Sequence, residues 1–493
     1  MNAVDRTIVF AYLVGTTLFG CSFLFRKGGR DSAAFMTGGG RLPTWTIALS
    51  IFATHVSSIA FLGLPAKAFL DNWNPYVLSL TVPIAAVIAA VGFVPFYRRS
   101  ESVSAYSFLE KRFGIWARLY ASACFLVMQS ARSGVILFLL ALLMNAVLGY
   151  SIPSIIIVTG VATLIYSMMG GLSAVVWTDA IQSLILIVGT VLCIATLGWL
   201  IPDLGAGFNE AWQAGKFSLG SFTLSDWGHE TFWVTFVYAI FVNLQNFGID
   251  QSFTQRYVAA KTQRAATRSL LSSAFLYLGT TALFVLIGTL LWMYVRANPG
   301  AVPEGTLAKA DSVFPWFIVH KLPAGVSGLL VAAIIAAAMS TVSATLNSGA
   351  TVMLEDYWLR FAARRSNARA DIGFLRLSTV GLGLFAIGVG LLVMNVRSAL
   401  AAFWALQSVL SGGMLGLFLL ALLSRRAAGI QALVGTLCGF AAILWVAFGQ
   451  KMLPLPFLLH VNLAIVLGTV VSVFVGLSVA NRRPPPLTSG GEI

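Results

Sequence analysis

Apolar stretches long enough to cross a lipid bilayer recur from one end of this chain to the other. A bilayer core requires about 18 or more consecutive, mostly apolar residues in a helix, and thirteen stretches of about this length are present. They lie near residues 7–25, 43–69, 75–97, 116–147, 154–169, 174–201, 231–253, 269–296, 326–353, 376–396, 399–423, 428–448 and 457–480. The pattern predicts an all-α polytopic membrane protein with about thirteen transmembrane helices.

The composition agrees with a membrane location and argues against a nucleic-acid partner. Hydrophobic residues make up 58% of the 493 residues and charged residues only 10%, against roughly 25% charged in soluble domains. The net charge of +14 comes from short Lys and Arg clusters between apolar stretches rather than from one basic face. These clusters are typical of topology determinants in membrane proteins.

The loop charges also predict the orientation of the chain. Most of the 31 Lys and Arg residues, Arg256 among them, fall in loops that are cytoplasmic if the amino terminus lies outside, as the positive-inside rule requires. The carboxyl terminus is then cytoplasmic, and residues 481–493 are too poor in apolar residues to fold. The first apolar stretch lacks a basic start and a cleavage site, which predicts a retained helix.

The stretch Ser50–Phe69 is apolar but carries several polar residues and helix breakers in its middle. Hydroxyls and breakers at membrane depth are tolerated mainly where the chain lines a cavity or an ion path. The stretch therefore predicts a broken helix that presents free carbonyls and hydroxyls to a small hydrophilic solute and a hard cation. The alternative is an ordinary helix whose Ser and Thr residues bond back to their own turn. The residues concerned are Thr54, His55, Ser57, Ser58, Gly63 and Pro65.

Arg132 lies near the middle of the 116–147 stretch, too far from either end to reach the interface easily. A charge at this depth costs about 2.5–3.5 kcal/mol on insertion scales and is a functional hypothesis by default. No acidic residue lies at similar depth in the same helix. We expect Arg132 to receive a carboxylate in two-pronged contact, as guanidinium geometry favours; a structural Arg bonded to broken-helix carbonyls is the alternative.

The stretch Ala332–Gly349 places three oxygen donors on one helix face. Ala337, Ser340 and Thr341 have the spacing i, i+3, i+4, which brings them together on a helix. One carbonyl and two hydroxyls suit a hard cation, which prefers oxygen ligands. A tight helix–helix seam made of small residues is the alternative.

Further polar residues lie inside other predicted helices. Asp179 stands one or two turns into a helix that begins at the cytoplasm, where it either tunes a cation site or stabilises the helix start. The second polar set lines a pathway or holds helices together, and its members are Asn243, Gln245, Asn246 and Asp250.

Four segments together resemble the bacterial sodium/solute symporters, most closely their sialic acid transporters. The matching segments are GGGRLPTWTIALSIFATHVSSIAF followed by LPAKAF, then GGLSAVVWTDAIQ, QRYVAA and AAAMSTVSATLNS, in the family's order along nearly the whole chain. The resemblance implies the inverted-repeat fold of the leucine transporter, with the first helix of each five-helix repeat broken. The implied units are residues 1–42 (an extra helix and a cytoplasmic loop), 43–201 (first repeat), 202–230 (outer loop), 231–423 (second repeat), 424–480 (two further helices) and 481–493 (disordered tail).

The resemblance also implies site residues. The family's main sodium site corresponds to the carbonyls of Ala53, Val56 and Ala337 with the hydroxyls of Ser340 and Thr341. A second candidate sodium site corresponds to Asp179, Ser340 and Ser343, although Ala344 replaces a hydroxyl found in the relatives. Arg132 and Ser57 correspond to substrate-binding residues of the sialic acid transporters, whereas His55 and Ala60 replace threonines and Ser79 replaces a glutamine.

The sequence thus predicts a secondary transporter of the bacterial inner membrane, functional as a monomer, and not an enzyme. Its partners are sodium as the coupling ion, the lipid bilayer and a small anionic solute, with sialic acid or a related sugar acid first. The alternatives are proton-coupled or sodium-coupled symport of another small organic acid or sugar, and a transporter-like sensor. His55 either bonds the substrate, titrates near neutral pH or packs in the unwound segment.

Overall fold

The computed structural model describes residues 2–23, 31–99, 102–307, 310–362, 366–394, 399–424, 426–449 and 459–478. Within these ranges every regular element is helical, apart from an isolated bridge between Leu42 and Ala260. The all-α prediction is therefore confirmed for this part of the chain. The predicted tail 481–493 lies outside the described residues.

Most helices follow one another with short connections, but residues 214–231 form a longer one. The first ten are α1 (Ala3–Ser22), α2 (Ser32–Thr37), α3 (Thr44–His55), α4 (Ser58–Leu70), α5 (Val77–Leu80), α6 (Val82–Val91), α7 (Phe93–Arg99), α8 (Ser107–Phe113), α9 (Ile115–Leu148) and α10 (Ile152–Leu200). The next twelve are α11 (Leu204–Gln213), α12 (Phe232–Ile249), α13 (Gln251–Ala259), α14 (Gln263–Ala297), α15 (Glu304–Leu307), α16 (Ala310–His320), α17 (Val326–Val352), α18 (Leu359–Phe361), α19 (Ala368–Val393), α20 (Ala399–Leu423), α21 (Gly429–Phe448) and α22 (Ala464–Ser478).

Many of these helices have the length and composition of membrane spans. Among the described residues, ten helices are long and apolar enough to cross a bilayer, and the bent pair α3–α4 makes eleven. The predicted stretch 75–97 corresponds to one such span, Asn74–Arg99, which includes α5, α6 and α7. The protein is therefore a multi-pass membrane protein.

Helix α10 contains 49 residues, about 74 Å at 1.5 Å per residue, which is more than twice the thickness of a bilayer core. The chain bends at Gly171, where φ is 57° and ψ is −156°. A Cβ at this position would lie 2.8 Å from atoms of Phe35. Glycine is therefore required at this bend, which separates the two predicted stretches 154–169 and 174–201.

Two pairs of consecutive helices are separated by extended residues, at the two places where the sequence and its resemblance predict broken helices. Helices α3 and α4 meet at an angle of 59°, because Val56 and Ser57 have extended backbone conformations. Helices α12 and α13 are separated by Asp250 alone, also extended, with φ −76° and ψ 121°. Both breaks leave helix-end carbonyls without intrahelical partners.

Helix α17 lies at the centre of the molecule. Every residue from Leu330 to Val352 is buried, and α1, α3, α9, α10 and α13 all pack against this helix. The helix is rich in Ala, Ser, Thr and Gly, which let neighbouring helices approach closely. The predicted oxygen face of α17 is therefore enclosed by other helices and not exposed to lipid.

Candidate functional site

The break between α3 and α4 forms one wall of the candidate site. Ser57 begins α4 as its N-cap, and its hydroxyl accepts a hydrogen bond from the Ala60 N–H at 3.4 Å. His55, Ser57 and Ala60 are half-buried although they lie in the middle of the chain's second span. The helix is broken at Val56 and Ser57, as predicted. The hydroxyl of Thr54 also donates back to the Ser50 carbonyl at 2.8 Å, as the alternative interpretation requires.

The break between α12 and α13 forms a second wall. One carboxylate oxygen of Asp250 accepts the Ser252 N–H at 2.7 Å and so caps α13. The other accepts a hydrogen bond from Nε2 of Gln129 at 2.6 Å. Gln129 precedes Arg132 by one turn of α9, so the break is held against the helix that carries the predicted anion-binding Arg.

Arg132 is half-buried on α9. Its guanidinium makes no hydrogen bond or ion pair with the residues that the structure describes. The charge of Asp250 is nevertheless near enough to interact with it. The sequence correctly indicated that α9 carries no counter-charge, but it did not reveal that another broken helix supplies one. The guanidinium donors are thus available for an anionic ligand.

Aromatic rings surround His55. The centroid of its imidazole lies 4.2 Å from that of Tyr277, 5.3 Å from that of Phe247 and 5.7 Å from that of Phe253. Arg132 is near enough to His55 for their charges to interact. His55 therefore lies among aromatic side chains at the break and close to the predicted anion-binding Arg.

Ser79 and Asn243 lie on the same side of the site. Ser79 is buried beside Tyr277. The Asn243 amide donates to the Leu78 carbonyl at 3.1 Å and to the Thr81 hydroxyl at 2.9 Å, while its carbonyl oxygen has no partner among the described residues. The Asn243 amide therefore joins α12 to Leu78 and Thr81, and the side-chain carbonyls of Asn243 and Gln245 both lack a partner among the described residues.

The oxygen face of α17 lies next to α3. Ala337, Ser340 and Thr341 are buried, as are Ala53 and Val56 on α3. The Thr341 hydroxyl donates to the Ala337 carbonyl at 3.1 Å. These oxygens are uncharged, and the break frees carbonyls at the end of α3, which packs against α17. The donor set fits a hard monovalent cation, which prefers oxygen ligands.

The carboxylate of Asp179 joins three helices around this oxygen face. One oxygen accepts the Ser340 hydroxyl of α17 at 2.7 Å, and the other accepts the Ser50 hydroxyl of α3 at 2.6 Å. The second oxygen also forms an ion pair with Arg256 of α13 at 2.9 Å. In addition, the Arg256 guanidinium donates to the Ser50 hydroxyl at 2.7 Å and to the Ser252 carbonyl.

This network corrects the assignment of Arg256 as a charge of a cytoplasmic loop. Arg256 lies in α13 and its exposed fraction is 0%. A buried guanidinium is tolerated because an ion pair and hydrogen bonds satisfy it. The motif QRYVAA was the available signal, since it places an Arg directly after a polar, broken-helix segment. Ser343, assigned with Asp179 to a second cation site, donates its hydroxyl to the Ser340 carbonyl at 3.0 Å.

The model of the sodium:solute symporter family matches residues 35–439. The chain belongs to the sodium:solute symporter family. Members of this family are transporters that use sodium as coupling ion, and this symporter is not an enzyme. Its oxygen face on α17 and its broken helix α3–α4 both lie within the matched residues.

Several relatives of this symporter cover most of its length. It is 30% identical over 453 residues to the sodium/sialic acid symporter SiaT of Proteus mirabilis, and the match covers 91% of this chain and 90% of the relative. It is 31% identical to the sodium/sialic acid symporter NanT of Aliivibrio fischeri, with coverage of 90% and 88%. The human sodium-coupled monocarboxylate transporter 1 is 29% identical, with coverage of 91% and 74%.

Two solved structures define the fold of this symporter. A substrate-bound, outward-open Na+-coupled sialic acid symporter matches with a TM-score of 0.89 at 28% identity, covering 96% of this chain and 97% of that chain. Mhp1, a nucleobase-cation-symport-1 family transporter in a closed conformation, matches with a TM-score of 0.55 at 14% identity, covering 92% and 95%. The fold is therefore the leucine-transporter-like fold that the sequence resemblance implied.

Proposed function

We propose that this symporter uses the inward sodium gradient to import a carboxylate-bearing solute by alternating access, with sialic acid (N-acetylneuraminate) or a related sugar acid as the first candidate. The observation that carries the proposal is Arg132, a half-buried guanidinium at membrane depth without a direct partner among the described residues. The sialic acid symporters of Proteus mirabilis and Aliivibrio fischeri support the choice of solute.

The substrate site of this proposal lies between the two helix breaks. Arg132 binds the carboxylate in two-pronged contact, and Asp250 offsets its charge when the site is empty. Ser57 and Ser79 contribute hydroxyls, His55 contributes a ring nitrogen, and Ala60 leaves room beside them. The side-chain carbonyl of Asn243 is a further acceptor for a substrate hydroxyl or amide.

The coupling ion of this proposal binds at the carbonyls of Ala53, Val56 and Ala337 and the hydroxyls of Ser340 and Thr341. Sodium there would fix the end of α3 and so raise affinity for the anion at Arg132. This is a coupling free energy, so the substrate must raise sodium affinity by the same factor. A second candidate sodium site is formed by Asp179, Ser340 and Ser343, with Arg256 already beside the carboxylate.

The proposal includes the finer topology. The chain crosses the bacterial inner membrane thirteen times as a monomer, with its amino terminus outside and its carboxyl terminus in the cytoplasm. Residues 43–201 and 231–423 are the two inverted five-helix repeats, and rocking of one helix bundle against the other opens the site inward.

The proposal is tested by uptake of radiolabelled sialic acid into proteoliposomes with and without an inward sodium gradient at fixed pH. Hydrogen bonds to charged groups contribute ~1.5–3 kcal/mol, so Arg132→Gln should lower substrate affinity about tenfold or more. Sodium-dependent thermal stabilisation of the same variant should persist, because the sodium ligands are unchanged. The matched control is Arg296→Gln, which removes an exposed Arg paired with Glu210 and should leave uptake intact.

Each alternative result has a defined meaning. Accumulation driven by a proton gradient and indifferent to sodium would refute the sodium site. Uptake by Arg132→Gln equal to that of the unchanged protein would refute the role of Arg132.

A smaller monocarboxylate is the second candidate substrate, favoured by the walls of the site. His55 is surrounded by Tyr277, Phe247 and Phe253, and Ala60 offers no hydroxyl, so this side suits an apolar substituent better than a polyhydroxylated chain. The human sodium-coupled monocarboxylate transporter 1 is among the relatives. Sodium-driven uptake of a short aliphatic monocarboxylate, with sialic acid unable to compete, would establish this second candidate.

A further inference from the structure

A cleft separate from the candidate site lies between α1 and the ends of α9 and α10. Its volume is about 320 Å³, within the range of ligand pockets in proteins. The cleft is lined mainly by apolar side chains and its floor reaches α17. Its deeper lining includes Val9, Leu13, Met144, Leu148, Ile155 and Ile335.

Three of the four polar residues that line this cleft form its mouth, namely Arg6, Tyr150 and Ser154, and both Arg6 and Tyr150 are exposed. The fourth, Thr159, is buried and donates its hydroxyl to the Ile155 carbonyl at 2.6 Å. The Arg6 side chain forms no ion pair or hydrogen bond with the described residues. The acidic residue beside it, Asp5, is already engaged, because one of its oxygens accepts the N–H groups of Gly325 and Gly328 at 2.7 and 2.9 Å.

The arrangement matches the depth profile of a bilayer. The mouth is formed by the first turns of α1 and α10 and the turn at Tyr150, which the proposed topology places at one membrane face. Basic and aromatic residues at this level lie among lipid headgroups, and the apolar interior extends toward the hydrocarbon. A cavity with apolar walls gains little from water but can bury hydrocarbon.

We propose that this cleft binds a phospholipid with a net negative charge, with one acyl chain between α1, α9 and α10 and the phosphate at Arg6. The exposed guanidinium supplies the charge complementarity, because phosphate oxygens accept its parallel N–H donors. The site does not depend on the proposed substrate. It does touch the transport machinery, because Ile335 precedes the candidate sodium ligand Ala337 by two residues on α17.

The probe is an equimolar mixture of phosphatidylglycerol and phosphatidylethanolamine added to the full-length protein in detergent, with retained lipid counted by native mass spectrometry. A basic residue near a charged headgroup contributes ~1 kcal/mol, which corresponds to about fivefold preference for phosphatidylglycerol. Arg6→Gln should remove this preference. Arg296→Gln removes an exposed positive charge outside the cleft and should leave the preference unchanged.

A second variant tests the acyl-chain part of the proposal. Val9→Phe places a larger side chain in the cleft and should lower retention of both lipids, while its unfolding temperature confirms that the protein still folds. Equal retention of the two lipids by the unchanged protein would overturn the proposal. So would a preference that survives Arg6→Gln, or retention that a folded Val9→Phe variant does not reduce.

Discussion

The buried pair Asp179–Arg256 should be the most sensitive electrostatic interaction in this symporter. Both side chains are almost completely buried, at 0% and 1% exposure, with 2.9 Å between the charged atoms. Removing one partner of a buried pair leaves an uncompensated charge and costs about 3–5 kcal/mol. We therefore expect Asp179→Asn and Arg256→Gln each to lower the free energy of unfolding by about this amount.

The double variant Asp179→Asn/Arg256→Gln should recover much of that loss, because no buried charge is left unpaired. The amide side chains can still bond to the hydroxyls of Ser50 and Ser340, which contact Asp179 in the unchanged protein. A double-mutant cycle should therefore give a coupling energy of at least ~2 kcal/mol, in the upper part of the range for residues in contact.

The assay is unfolding of the purified protein in mixed micelles titrated with a denaturing detergent, followed by tryptophan fluorescence. The matched control is Arg360→Gln, which breaks the half-exposed pair between Arg360 and Glu110 at 3.0 Å and should cost no more than ~1 kcal/mol. Single variants no less stable than the control, or a double variant as unstable as the sum of the singles, would refute the reasoning.

Three further predictions concern local structure. Asp5→Ala removes the acceptor at the start of α17 and should cost about 0.5–2 kcal/mol, the usual contribution of an N-cap, measured as a lower unfolding midpoint. Gly171→Ala should lower the folded fraction in size-exclusion chromatography, because the positive φ and the contact with Phe35 introduce strain of ~1–3 kcal/mol. Gly198→Ala should leave the folded fraction unchanged, because a Cβ there would make only an ordinary contact with Leu204 at 3.8 Å. The hydrogen bond from Arg118 lowers the pKa of Glu110 below its ordinary value of 4.5. The ionised carboxylate therefore stabilises the fold above about pH 4.5 and loses this effect as the pH falls through its lowered pKa, so the unfolding temperature of Glu110→Gln should change less between pH 7 and about pH 3 than that of the unchanged protein.

Features set by residues close in sequence could be predicted. The break at Val56 and Ser57 follows from a polar, Pro-containing segment in an apolar stretch, because such residues satisfy backbone groups only outside a regular helix. The oxygen face of α17 follows from the i, i+3, i+4 spacing alone. For both features, the residues that predict the feature lie within about two helical turns, along the sequence, of the residues that form it.

Features that join distant residues could not be predicted in the same way. Arg256 and Asp179 are 77 residues apart, and the charge pattern alone assigned Arg256 to a loop. The hydrogen bond between Gln129 and Asp250 spans 121 residues. Hydropathy describes one helix at a time, so it reports that a buried charge needs a partner but not which helix supplies it.

The contacts of Asp179 link the candidate ion site to both helix breaks. Its carboxylate contacts Ser50 on α3, Arg256 on α13 and Ser340 on α17. Helix α3 ends at one break and helix α13 begins at the other. Ser340 is also a proposed sodium ligand, and its single hydroxyl proton already points to Asp179, so its lone pairs remain available to a cation. A cation at Ser340 would therefore strengthen this donation rather than compete with it. We expect sodium to tighten the contacts of α17 with α3 and α13 together, which places both breaks under the control of one ion.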